Sequence, residues 1–458
     1  MSEQAQQTGL RRILGPWSAA AIVVGTVIGS GIFLVPKAMV QHVGSVEMVF
    51  AVWVFGGFLS LFGALSYAEL AGALPEAGGE YVYLREAYGP LWGFLYGWSL
   101  TWVAKSGSVA TLATAFFYYL ANFRPELERA FYSIPLPIGP NGGPLEIRYG
   151  QLLAVAVIFI LAFVNYMGVR LGGGIQVVVT IVKVALLAGI VVIGIGLGHG
   201  AVENYRSSTA AVGGVAGFFA ALVAALWAYD GWNNLTMVAS EVKNPQKNLP
   251  MALIVGTLAV MAIYLLANVA YFYILPASAV AASDRVAAEM MRRILGTAGA
   301  GAVSIAAMVS IFAALNGAIL SAARVPYAMA TDRRFFRALG YVHPNHRTPA
   351  VSIFVLCAWA ALLVFSGRYE QLFTYVIFAS WIFYGMNAGA VLVLRKKRPD
   401  LPRPYRTVGY PVVPVLFIAG AACVVVSTLL SSPRESLMGL VLILAGLPFY
   451  YYWERRRV

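Results

Sequence analysis

The chain has 458 residues, of which 60% are hydrophobic and 11% charged, with a mean hydropathy of +0.76. A water-soluble globule of this size has too little interior to hide so much apolar surface, so the composition excludes a soluble protein and places the chain in lipid. The net charge of +13 would suggest nucleic acid in a soluble protein, but in a membrane protein the basic residues report orientation, and no nucleic-acid partner is implied.

Hydrocarbon about 30 Å thick needs about 20 apolar residues at helical rise, and stretches of that length recur from end to end. They predict a polytopic α-helical protein of twelve spans, near 14–42, 47–74, 91–121, 151–169, 173–198, 212–240, 250–275, 298–331, 349–367, 370–395, 409–430 and 434–453. An even number puts both termini on one side. Loops on that side hold nineteen Lys/Arg, the opposite loops ten, and Lys105, Lys183 and Arg324 fall within spans. This bias predicts cytoplasmic termini in the inner (plasma) membrane of the cell. The polar N-terminus MSEQAQQTGLRR precedes no small-residue cleavage site, so the first span is expected to stay in the protein.

Two spans break the pattern of ordinary Leu/Val/Ala/Phe helices. The first reads VGTVIGSGIF at 24–33, with three glycines in seven residues and Pro36 beyond; the second, at 227–234, reads WAYDGWNN. Glycine costs a helix about 1 kcal/mol against alanine, and polar groups in hydrocarbon cost more. Gly25-x-x-x-Gly29 alone would fit close helix packing equally well; Ser30, Gly31 and the matched second break favour unwinding. Non-helical backbone at membrane depth is tolerated where it is buried in protein or reached by water, which describes a transport pathway. The breaks are first and sixth in order, as expected of five-span halves repeated with inverted topology. The predicted organisation is therefore a tail at 1–12, spans one to five at 13–198, six to ten at 199–395, eleven and twelve at 396–453, and a tail at 454–458.

A half-helix that restarts presents free N–H groups and a positive dipole end, which attract a carboxylate. One that stops presents free carbonyls, which attract an ammonium group. Two such breaks facing each other suit a zwitterionic L-amino acid. Gly29, Ser30 and Gly31 are expected to meet the carboxylate, and carbonyls around Val27, Trp227 and Asp230, with Gly231 at the turn, the amine. Trp227, directly before the break, is a candidate gate.

Ionisable residues within spans are functional candidates by default. Lys183 lies about eight residues, roughly 12 Å, into its span; it either snorkels or acts as a fixed cation holding unwound carbonyls. Lys105 can pair with a carboxylate or with carbonyls, in a structural or an accessory role. Asp230 can receive a cationic side chain, pair with a lysine, or cap the restarting half-helix. Asn316 reads as interhelical glue or as an accessory ligand. Cys357 and Cys423 both fall in spans and read as core thiols, and His343 and His346 lack acidic or thiolate partners, so neither a metal nor a cofactor is expected. No nucleophile–base constellation is evident, and no enzyme is expected.

These segments, with SYAEL at 66–70, GGEYVYL at 78–84, EVKNPQKNLP at 241–250 and SAARVPYAMATD at 321–332, resemble the amino acid–polyamine–organocation superfamily, and within it the L-type amino acid transporters, including their bacterial members. The resemblance runs from about residue 12 to 453. It implies the inverted-repeat fold first seen in a bacterial leucine transporter, substrate carboxylate at Ser30 and Gly31, amine at the Val27, Trp227 and Asp230 carbonyls, Trp227 as aromatic gate, and Lys183 standing in for sodium. Animal members link to a heavy chain through a cysteine after span three; the 122–150 loop has none, so no disulfide-linked partner is expected. Asp230 replaces a small residue found in some carriers of large neutral substrates, which leaves the side-chain class open. The expected function is sodium-independent L-amino acid transport by alternating access, as exchanger or proton-coupled carrier. A cationic amino acid or polyamine carrier with Asp230 as counter-ion is the alternative, and an amino-acid sensor without transport is another.

Overall fold

A computed structural model describes residues 10–135, 144–366 and 369–456; most of the predicted N-terminal tail and the last two residues of the C-terminal tail lie outside the described residues. The first predicted span is two helices, α1 (Pro16–Val27) and α2 (Gly31–Val43), followed by α3 (Val46–Ala73). A short helix α4 (Glu80–Tyr88) leads into α5 (Pro90–Ser99), a π-helical segment at Leu100–Ala104 and α6 (Lys105–Leu120). The 122–150 loop holds a hairpin of β1 (Ala130–Ile134) and β2 (Leu145–Arg148), so the fold is not purely helical. Then come α7 (Tyr149–Tyr166), α8 (Val169–Gly196), α9 (Gly214–Tyr229), a single turn α10 (Asn234–Met237), α11 (Pro245–Ile274), α12 (Ala277–Ala282), α13 (Val286–Ala322) and α14 (Arg324–Thr331). The chain ends with α15 (Ala350–Phe365), α16 (Tyr369–Lys397), α17 (Val412–Ser431), α18 (Pro433–Leu444) and α19 (Gly446–Arg455).

Among the described residues, nine helical stretches are long and apolar enough to cross a membrane. Within α13 the backbone leaves the helix at Gly296, whose φ of +66° suits glycine, so a preceding helical stretch from Val286 meets the eighth predicted span at a kink close to its expected start. Cys357 is buried, as expected of a core thiol, whereas Cys423 is exposed, because its position on α17 faces outward.

The two interrupted spans run side by side in opposite directions. α2 packs on α9, and α1 packs on α10. Backbone bonds fix this pairing at both ends: Leu14 bridges Val242 in parallel, and Ser45 bridges Ser208 in antiparallel fashion. Around this pair stand α8, α11 and α13, each in contact with α1.

Ion pairs concentrate at one end of the bundle. Arg85 reaches Asp332 at 2.5 Å, Arg395 reaches Glu69 at 2.7 Å, Arg398 reaches Glu86 at 3.1 Å, and Arg324 reaches Glu241 at 2.7 Å. The last pair is fully buried on both sides. Removing one partner of such a pair strands the other charge and costs roughly 3–5 kcal/mol. Glu241→Ala is therefore expected to lower the thermal unfolding midpoint in detergent micelles sharply; an unchanged midpoint would show that the pair does not brace this end.

Candidate substrate site

The break in the first span follows from its backbone. Ile28 leaves the helix at ψ 89°, its N–H still bonded to the Val24 carbonyl, and the helix restarts at Gly31. Carbonyls that would have closed the next turn are left without helical partners. Lys183 takes two of them: its Nζ donates to Gly25 O at 2.6 Å and Ile28 O at 2.5 Å. Ser310 Oγ adds a bond to Ile28 O at 3.0 Å.

Lys183 reaches this point because of its helical register. Gln176, Thr180, Lys183, Leu187 and Ile190 recur at helical spacing and form the buried stripe of α8, whereas Val178, Ile181 and Val182 face outward. The side chain therefore points into the bundle and is fully buried, which removes the snorkelling alternative. Gly25 allows the close approach, since a Cβ there would lie 2.1 Å from Gln176 Nε2.

The second break is built differently. Asp230 ends α9 with extended backbone (ψ 145°), its N–H bonded to Trp227 O at 3.1 Å, and Gly231 turns the chain at φ +114°, a conformation that favours glycine. Thr26 Oγ1 lies 2.8 Å from Gly231 O, and the Tyr264 hydroxyl, from α11, lies within donating reach of both Val27 O at 3.0 Å and Ala228 O at 2.8 Å, joining the two breaks. Deeper in, Asn233 donates to Glu80 at 2.8 Å, alongside Tyr67 at 2.7 Å and Tyr96 at 2.5 Å, which ties the GGEYVYL segment to this break. Burial pushes the Glu80 carboxyl up from its ordinary range, against those hydrogen bonds and the nearby Lys105 charge.

Between the breaks is a cavity of about 40 Å3. Its walls include Val27, Gly29, Ser30 and Gly31 from the first break, and Trp227, Asp230 and Gly231 from the second. Lys105 completes it, so eight of the ten sequence-predicted residues converge on one point. Lys183 sits behind the first break, in contact with its carbonyls. Asn316 is elsewhere: it accepts from Asn165 at 2.9 Å and donates to Gln176 at 2.8 Å, gluing helices together.

Asp230 neither caps α10 nor lies free. Its carboxylate sits 3.6 Å from Lys105 Nζ and accepts from Tyr384 OH at 2.6 Å. Gly31 lines the cavity through its backbone, but a Cβ there would meet Ala228 at 2.6 Å, so this glycine also lets α2 and α9 touch. Ser30 Oγ and Ser108 Oγ are buried and make no hydrogen bond among the described residues.

Ser108, Tyr264, Ser310 and Tyr384 were not legible as site residues. A serine or tyrosine in an apolar span carries no spacing signal, and their roles come from helix contacts distant in sequence. His343 and His346 lie in a turn, with His343 Nδ1 accepting backbone N–H groups of Asn345 and His346.

The amino acid permease family matches residues 14–446, nearly the whole helical bundle including both breaks. The chain belongs to this family. It is 33% identical over 455 residues to the serine/threonine exchanger of Bacillus subtilis, covering 99% of both chains. It is 34% identical to the human b(0,+)-type amino acid transporter 1 (98% of this chain, 89% of the relative) and 31% identical to the human cystine/glutamate transporter (98% and 87%). The L-type resemblance within the amino acid–polyamine–organocation superfamily thus holds, and this permease is a multi-pass membrane transporter of amino acids, not an enzyme.

Lys183→Ala leaves the Gly25 and Ile28 carbonyls without their ammonium. The variant is expected to keep a monodisperse elution profile in detergent yet lose most amino acid uptake in proteoliposomes; wild-type uptake would remove the fixed-cation role.

Proposed function

We propose that this permease is a sodium-independent exchanger of small or medium neutral L-amino acids, working by alternating access around the breaks at 28–30 and 230–233. The observation that carries the reading is the Lys183 ammonium held by the Gly25 and Ile28 carbonyls at 2.6 and 2.5 Å. A cation fixed at unwound carbonyls does the electrostatic work that a bound sodium ion would otherwise do, so binding of substrate needs no ion from solution.

In this reading the substrate carboxylate meets Ser30 Oγ and the N–H groups at Gly29 to Gly31, where the first turn of α2 has no preceding turn to take them. The substrate amine meets the Val27, Trp227 and Asp230 carbonyls, with Gly231 giving the turn and Trp227 closing over the pocket. Lys105 acts as an accessory. A cavity of about 40 Å3 holds water but no amino acid, so binding accompanies separation of the two walls. The neutral class is favoured over the cationic and polyamine reading by the pairing of Asp230 with Lys105 at 3.6 Å and Tyr384 at 2.6 Å, which leaves its charge compensated. Exchange fits the serine/threonine exchanger among the relatives.

The same reading counts twelve crossings: the nine long helices, the pair α5–α6 across its π segment, and the shorter α9 and α15. Spans one to five and six to ten form the inverted repeat, with spans eleven and twelve outside it. Both termini face the cytoplasm of a plasma-membrane protein, and the protein works without a disulfide-linked heavy chain, in keeping with the cysteine-free 122–150 loop.

Uptake of labelled L-serine and L-alanine into sodium-free proteoliposomes tests this. Uptake is expected only when the vesicles contain unlabelled amino acid, and excess arginine or putrescine is expected to leave it unchanged. Uptake into empty vesicles driven by an inward proton gradient would replace exchange with symport, and specific binding without flux would make the protein a sensor.

Ser30→Ala removes a hydroxyl that makes no hydrogen bond among the described residues, so thermal stability is expected to hold. Substrate affinity should fall roughly ten- to hundredfold, the worth of a hydrogen bond to a charged group. Unchanged affinity by isothermal titration would move the carboxylate away from this residue.

A further inference from the structure

Transport leaves unused a second concavity, of about 520 Å3, formed where the α13–α14 stretch and α19 end. Arg333, Arg337 and Arg456 line it together with Phe336, Tyr452 and Trp453. The candidate spans stop at Thr331 and Arg455. Arg333 and Arg456 therefore lie just past a span end, and Arg337 opens the short helical turn Arg337–Gly340 beyond the first of them, at the depth where lipid headgroups meet water.

Among the described residues the charge of this pocket is uncompensated. The two acidic residues beside it are committed elsewhere: Asp332 accepts from Tyr81 and Arg85, at 2.7 and 2.5 Å, and Glu454 pairs with Arg334 at 3.4 Å. Arg333, Arg337 and Arg456 are exposed and form no ion pair among the described residues. Arg456 lies over the Tyr452 ring at 4.5 Å, which orients its guanidinium and leaves its edge free for an anion. Arg333 has φ +58°, the left-handed region, and turns the chain back at the end of α14. The wall is apolar: Trp453 packs edge-on against Phe336 with ring centroids 5.0 Å apart and lies tilted against Phe335 at 5.3 Å. Phe336 and Tyr452 are about half exposed, at 51% and 48%.

We propose that this pocket binds the headgroup of an anionic phospholipid, its phosphate held by Arg333, Arg337 and Arg456 and its glycerol and upper acyl region resting on Phe336 and Tyr452. A free phosphate would use the arginines alone. Exposed aromatic rings at a span end select the lipid form.

The test is titration of fluorescent short-chain phosphatidylglycerol, with phosphatidylcholine as control, into the full-length permease in zwitterionic detergent. Wild type is expected to prefer phosphatidylglycerol. In R333Q/R337Q/R456Q the affinity should fall roughly fivefold per arginine, on the order of a hundredfold in all, with unchanged melting and elution. The single exchange R337Q reads the same loss at about fivefold should the triple variant not fold. Equal affinity of the variants and wild type for phosphatidylglycerol would overturn the site. Displacement of phosphatidylglycerol by inorganic phosphate at equal concentration would overturn the lipid assignment in favour of a soluble anion.

Discussion

A peptide carbonyl stranded in hydrocarbon is costly unless a donor meets it, and the first span of this permease strands several at once. The remainder of the site is organised around meeting them. Lys183 supplies an ammonium to Gly25 and Ile28, Ser310 a hydroxyl to Ile28, and Tyr264 a hydroxyl to Val27. The buried ammonium is itself expensive to desolvate. Lysine and carbonyls each lower the other's cost of burial.

This mutual dependence explains the glycines and the helix order. Gly25 brings α1 onto α8 closely enough for Lys183 to reach across, and Gly31 brings α2 onto Ala228 of α9. Because the two interrupted spans run antiparallel, the stop of one faces the restart of the other, and the ends of α1, α2 and α9 converge with the single turn α10 on one small cavity. The pair of Asp230 and Lys105 sits at its edge, aided by the π segment that directly precedes Lys105. That pairing compensates the Asp230 charge within the protein.

Much of this was legible in the sequence, because bilayer thickness sets span length and glycine with buried polar residues marks where a span cannot stay helical. Both breaks and the convergence of Ser30, Gly31, Trp227 and Asp230 follow from local pattern, whereas local pattern left Lys183 between snorkelling and a fixed cation, and the packing of α8 puts it inside the bundle. What escaped is what local pattern does not carry. Tyr264 and Ser310 are ordinary span residues until α11 and α13 are packed against α1. Asn316 carries the right chemistry for a ligand but points at Asn165 and Gln176. Cys423 is apolar enough for a core, and only the orientation of α17 turns it outward. The hairpin at 130–148 lies outside the apolar segments, where periodicity has nothing to act on.

Tyr264 deserves a last consideration as an object with a single proton. Its phenol stands within reach of two carbonyls, Val27 at 3.0 Å and Ala228 at 2.8 Å, yet it can give a full hydrogen bond to only one of them at a time. Whichever it chooses, the other carbonyl is left short of a donor, one on each interrupted span. The two interrupted spans thus compete for one proton, and the phenol couples their backbones at the point where both leave the helix.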